Sequence, residues 1–431
     1  MMIEKGDIVT LLKRSLRSKV FENYFSMTSL NIAGALIGIM LYPYLIRTLG
    51  KDSYGLYIYM LAIVNFLILI VKFGFTFPAM RQVIENRDDT VIKNQVLSSV
   101  FSAKIILSIG IFIFGFLPLC LFLPIIRNNL LIFNICSVQI FTDLLFPQWY
   151  FQAIQKMKFV TFINLSFKIL TIPFIFVFIK NPADIWIYAL IISSSMLIGG
   201  ISATYILYKE EKVFPRFVFS SNLKSLFANS LPFFWTTAAN TVKLQSIPLF
   251  IGSFFNFADV AVYELANKIV SIPQMMTSNI NISIFPKAVV QKSKTMINKI
   301  LKYELIIGIA TVATIAVFGY WIVLLLGGCE LLLAYPLAVI LSTTILTSLI
   351  VSAHLNFIFI PQNRYYFITQ NQLFAFVSFF VIVGIGFLLW KNVMMLAVSL
   401  AISAFCEVFY CRYLTKKHNL LVFDKNHSIT V

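Results

Sequence analysis

The sequence predicts an all-α polytopic membrane protein of about twelve transmembrane helices in two related halves. Three observations predict it. First, 59% of the 431 residues are hydrophobic and only 12% are charged, with a mean hydropathy of +0.88, which leaves too little polar surface to clothe a water-soluble fold. Second, apolar runs of the length that crosses ~30 Å of hydrocarbon follow one another along the chain. Third, one stretch recurs at a nearly constant offset.

Tyr42-Pro43-Tyr44-Leu45-Ile46-Arg47-Thr48-Leu49-Gly50 closes an apolar run, Lys51 to Ser53 turns the chain, and Tyr54-Gly55-Leu56-Tyr57 opens the next. Proline is expected to break the first helix. Gly50 and Asp52-Ser53 supply the turn. Pro43 pairs with Pro248, Tyr57 with Tyr263, Ile63-Val64 with Ile269-Val270 and Phe77-Pro78 with Phe285-Pro286, all at offsets between 205 and 208. Spans paired in this way mark an internal repeat.

In order, a basic segment (1–22) precedes the first six spans, placed near 24–48, 55–78, 97–124, 129–150, 159–179 and 185–208. The first half is therefore 23–208. A polar linker, 209–227, leads to the second half, 228–414, with spans near 228–254, 260–286, 301–326, 331–360, 367–389 and 392–414, and a tail, 415–431, follows. With the N-terminus inside, twenty-four Lys and Arg fall in cytoplasmic segments and five in outer loops. That asymmetry predicts both termini to be cytoplasmic, and it accounts for most of the +17 charge without nucleic acid. The five cysteines lie in apolar runs without metal-ligand spacing, and no metal site is expected.

Five lysines fall inside predicted spans: Lys72, Lys104, Lys168, Lys243 and Lys268. A lysine at mid-helix costs ~2.5–3.5 kcal/mol on insertion scales unless it faces a cavity or a partner. Lys104 is close enough to the cytoplasmic end to snorkel. Lys72 is deeper and reads equally as snorkelling or as a cavity residue. Lys268 lies one turn after Glu264, a spacing that permits an i,i+4 ion pair. For Lys168 and Lys243, near the middle of the fifth and seventh spans, a cationic cavity lining is preferred over internal pairing.

Carboxylates within the spans are fewer. Asp143, Glu264 and Glu407 are candidates for pairing with lysines or for proton or sodium coupling, a choice the residues leave open. Asn240 and Gln245 share the seventh span with Lys243 and read either as cavity groups or as interhelical hydrogen bonds. His354 is expected to be a packing residue. The excess of lysine over carboxylate suits an anionic cargo. A GxxxxGK[ST] phosphate loop, HExxH and GxSxG are all absent, and no outer loop is long enough for a catalytic subdomain, so an enzyme is not expected.

The Tyr42–Gly50 and Tyr54–Tyr57 stretches resemble the first span and turn of Wzx-type O-antigen flippases of the multidrug/oligosaccharidyl-lipid/polysaccharide exporter superfamily. Phe73-Gly74-Phe75 with Arg81 resembles the end of their second span, and Pro147-Gln148-Trp149-Tyr150-Phe151-Gln152 the segment after their fourth. Tyr263, Ala266, Asn267-Lys268-Ile269 and Phe285-Pro286 are similar to the corresponding region of the second half.

The resemblance implies two six-helix bundles around a central cavity that opens alternately to either side. It implies a bacterial inner-membrane protein without cofactors. Its cargo would be a polyprenyl-diphosphate-linked oligosaccharide drawn from the bilayer, and its partners a polysaccharide polymerase and glycosyltransferases. Lys168, Lys243, Lys268, Lys72, Arg47, Asn240 and Gln245 are then the expected cargo contacts. A cation-coupled multidrug exporter, or a flippase for another lipid-linked glycan, is the alternative.

Overall fold

The computed structural model describes residues 19–218, 222–291, 294–362 and 364–420. Most of the basic N-terminal segment and of the tail lies outside them. Among the described residues the regular structure is helical throughout, without strands. Nine helices there are long and apolar enough to cross a membrane. The first, Ile32–Glu85, takes in most of the helix Lys19–Lys72, which holds two spans because two helices meet there across a kink at Gly50, where φ is 75°. Asn222–Phe254 and Phe257–Gln291, of 33 and 35 residues, are also long enough. The described residues thus hold helices enough for twelve crossings, and the chain is a multi-pass membrane protein.

The bend corrects one expectation. Pro43 lies within continuous helix, and the break falls seven residues later. Membrane helices tolerate an internal proline where neighbouring groups satisfy the freed carbonyl, whereas the left-handed φ at Gly50 is open mainly to a residue without Cβ. The second span also ends earlier than expected, at Lys72. Phe73 and Gly74 take φ of 39° and 70°, and a separate helix, Thr76–Glu85, follows.

The chain divides into two compact units. One holds the described residues through Leu41 and Met60–Thr237; the other holds Tyr42–Tyr59 and the described residues from Ala238 onward. The hairpin tip therefore groups with the second unit, and the start of the helix Asn222–Phe254 with the first, unlike the boundaries drawn from hydropathy.

The first unit is centred on a core of Phe75, Val83, Trp149, Tyr150, Phe151 and Leu207. Gly74 lets the backbone near Phe233 come close, since a Cβ there would lie 2.6 Å from Phe234 N, and Phe73 stacks on Phe234 with ring centroids 4.8 Å apart. The expected linker is partly strapped down. Asn94 Oδ1, Ser98 Oγ and Ser102 Oγ, one turn apart on the helix Thr90–Ile111, accept the backbone N–H groups of Phe214, Arg216 and Val218 at 2.8–3.2 Å.

In the second unit the two copies of the repeated stretch pack on each other. Tyr42 donates to the carbonyl of Ala261 at 2.9 Å, its ring meets Tyr54 edge-on at 5.4 Å, and Tyr59 hydrogen-bonds Ser253 at 3.0 Å. Gly55 abuts the Phe257 carbonyl, and Gly252 abuts the Tyr59 ring.

Candidate functional site

The intramembrane charges form a cluster in each unit. In the first, Asp143 lies on Gln139–Leu145, a short helix between the breaks at Val138 and Phe146-Pro147 of the fourth span. Lys104, on Thr90–Ile111, donates to Asp143 Oδ2 at 2.7 Å and to the Asp143 carbonyl at 2.9 Å. Lys72, at the end of the second span, reaches Asp143 Oδ1 at 3.5 Å. The two lysines differ in exposure: the Lys104 side chain is 8% exposed and that of Lys72 is 53% exposed. The expectation that Lys104 snorkels is corrected: its side chain turns inward to Asp143. Its ammonium is satisfied inside the protein by a carboxylate 39 residues away in sequence.

Lys168, on the helix Met157–Phe178, is exposed. Its stem and ammonium run over Gly34, where a Cβ would stand 2.5 Å from Nζ. Gly34 thus leaves the space that the lysine occupies.

The second unit surrounds a carboxylate with amides. Glu407 Oε1 accepts from Asn371 Nδ2 and Gln372 Nε2, both at 3.0 Å. Lys243, on the helix Asn222–Phe254, is buried. The remaining oxygen of Asn371, Oδ1, is buried without a hydrogen-bond partner among the described residues. Lys243 thus sits inside the protein, and its cavity-lining reading is a proposal. Lys268 pairs with Glu264 at 3.0 Å, the i,i+4 arrangement that the spacing permits. Arg47 and Asn240 are exposed and Gln245 is half-buried. His354 bonds the Ile350 carbonyl at 2.7 Å as a packing residue.

A third network was not anticipated. At the ends of the spans in the first unit, Glu211 meets Lys93 at 3.1 Å and Lys156 at 2.9 Å, and Lys156 also meets Glu210 at 3.1 Å. Lys156 lies outside the spans; burial works against its charge, but the hydrogen bonds to Glu211 and Glu210 prevail and raise its pKa. No spacing rule relates Lys93 to Glu211, 118 residues apart. Among the described residues no three His, Cys, Asp or Glu are grouped to hold a metal ion.

The family model for polysaccharide biosynthesis proteins matches residues 20–289. The chain belongs to the polysaccharide biosynthesis protein family. Two curated proteins match this family member at 25% identity, each named "Putative O-antigen transporter". The one from Escherichia coli K12 aligns over 68% of this chain and 69% of its own length, the one from Shigella dysenteriae over 59% and 64%. The lipid II flippase MurJ, in an inward closed conformation, shares the fold at a TM-score of 0.70 and 14% identity, over 92% of this chain and 87% of its own. An inward-facing multidrug resistance MATE family transporter of the MOP superfamily matches at 0.64 and 14%, over 91% and 95%. At that identity the two structures speak to the fold of this family member alone.

Proposed function

We propose that the chain is a transporter rather than an enzyme, a flippase that moves a polyprenyl-diphosphate-linked oligosaccharide, the O-antigen repeat unit, from the cytoplasmic to the periplasmic leaflet of a bacterial inner membrane, with both termini cytoplasmic. Family membership and the relatives named as O-antigen transporters support the transport of a glycan. The observation that carries the anionic cargo is the uneven charge of the first unit. Lys72 is half exposed at the end of the second span, and the carboxylate it reaches, Asp143, is shared with the buried Lys104, so these three groups together carry one net positive charge. In a low-dielectric region such ammonium groups favour a diphosphate and disfavour a cationic drug.

Alternating access by two related halves is the mechanism proposed here, supported by the repeat and by the fold shared with MurJ and MATE transporters. Glu407, with Asn371 and Gln372, is the best-formed candidate for proton or sodium coupling, and Asp143 and Glu264 are engaged by lysines. A polymerase and glycosyltransferases are the expected partners. The test is a deletion strain in which lipid-linked repeat units are scored by leaflet. Accumulation on the cytoplasmic face, relieved by wild type and not by Lys72→Ala/Lys168→Ala, supports the reading. Normal surface glycan in the deletion, without a second flippase, removes it.

A further inference from the structure

We infer that Asp143 is a positioning residue that parks Lys72 until a diphosphate arrives, with Lys104 as the permanent counter-ion that lets Lys72 leave. The inference rests on the flippase reading and adds a specific exchange to it. Asp143 has two oxygens with unequal claims on them. Oδ2 is held at 2.7 Å by Lys104, which also bonds the Asp143 carbonyl at 2.9 Å. Lys104 is closed in, its side chain only 8% exposed and its ammonium already held by both Asp143 groups. Oδ1 meets Lys72 at 3.5 Å, longer than a charge-assisted hydrogen bond of ~2.7–2.9 Å. The Lys72 side chain is half exposed and flexible.

Two ammonium groups on one carboxylate leave a single positive charge in excess. That charge belongs to the mobile partner. A diphosphate offers Lys72 more negative charge than Oδ1 does, and departure of Lys72 leaves Asp143 paired, without an isolated buried carboxylate. When the anion leaves, Lys72 returns. The carboxylate therefore competes with cargo for the same ammonium, so it lowers affinity while keeping the lysine in place.

The experiment measures binding of farnesyl diphosphate, and separately of inorganic diphosphate, to the full-length protein in nanodiscs. Wild type is compared with Lys72→Gln, with Lys104→Met/Asp143→Asn, and with the triple variant. The double variant removes both members of the buried pair, so neither is stranded, and its folding is checked by thermal unfolding.

Lys72→Gln is expected to bind about tenfold more weakly and the double variant several-fold more tightly, with the triple variant returning to the level of Lys72→Gln. Tightening for farnesyl diphosphate and inorganic diphosphate alike identifies the headgroup as what Lys72 takes. A well-folded double variant with wild-type affinity overturns the parking role, and so does a triple variant that binds as tightly as the double. If wild type binds diphosphate without any dependence on Lys72, the inference fails while the flippase reading stands on the leaflet assay. If deletion leaves surface glycan intact, the flippase reading itself fails.

Discussion

Lys104 Nζ lies 2.7 Å from Asp143 Oδ2, joining the third and fourth spans through a charge pair largely withdrawn from solvent. Removing one member of a buried pair leaves an uncompensated charge, which typically costs about 3–5 kcal/mol. Asp143→Asn, which strands the buried Lys104 ammonium, is therefore expected to lower the thermal unfolding temperature of the detergent-purified protein sharply. Lys104→Met/Asp143→Asn is expected to recover most of the loss. Equal destabilisation by the single and double variants contradicts the pairing.

The cluster around Glu407 leads to a second prediction. Lys243→Met and Glu407→Gln each strand a buried group, so the double variant should be more stable than the sum of the singles, with a coupling of about 0.5–3 kcal/mol. Unfolding of the four proteins in the cycle measures it. Strict additivity shows that the two charges do not interact.

Close packing of the repeated stretch gives a third. Gly55 abuts the Phe257 carbonyl, so even the methyl of Gly55→Ala has to displace backbone. Overpacking of this kind costs about 1–3 kcal/mol and occasionally more. The yield of monodisperse protein should fall for Gly55→Ala and remain near wild type for Gly38→Ala, where a Cβ meets open space.

The strap over Thr90–Ile111 gives a fourth. Ser98→Ala/Ser102→Ala removes two acceptors of the linker backbone, at about 0.5–1.5 kcal/mol each. The segment 212–218 should then be cut faster by trypsin, at Lys212 or Arg216. Unchanged cleavage shows that these hydrogen bonds do not hold the linker.

Much of the fold was legible because the bilayer constrains span length and composition directly. The turn at Gly50 was visible because positive φ favours glycine, and Glu264 with Lys268 because i,i+4 spacing is local, whereas the turn at Phe73-Gly74 falls inside the apolar run placed at 55–78. Lys104 with Asp143 and Lys93 with Glu211 were not legible. Those partners are brought together by helix packing over 39 and 118 residues, which no periodicity encodes. The amides around Glu407 had no local signal either, since Asn371 and Gln372 lie 36 and 35 residues away on the preceding helix.

Flipping by the purified chain itself is the most direct test of the central claim. Liposomes carrying a polyprenyl-diphosphate-linked oligosaccharide in both leaflets are treated with a membrane-impermeant glycosidase, with and without the reconstituted protein. If the chain is a flippase, wild type exposes the inner-leaflet pool to cleavage and Lys72→Ala/Lys168→Ala slows that exposure at least tenfold. Protection of the inner-leaflet pool equal to that in protein-free liposomes, with folded wild-type protein and any required ion gradient present, contradicts it.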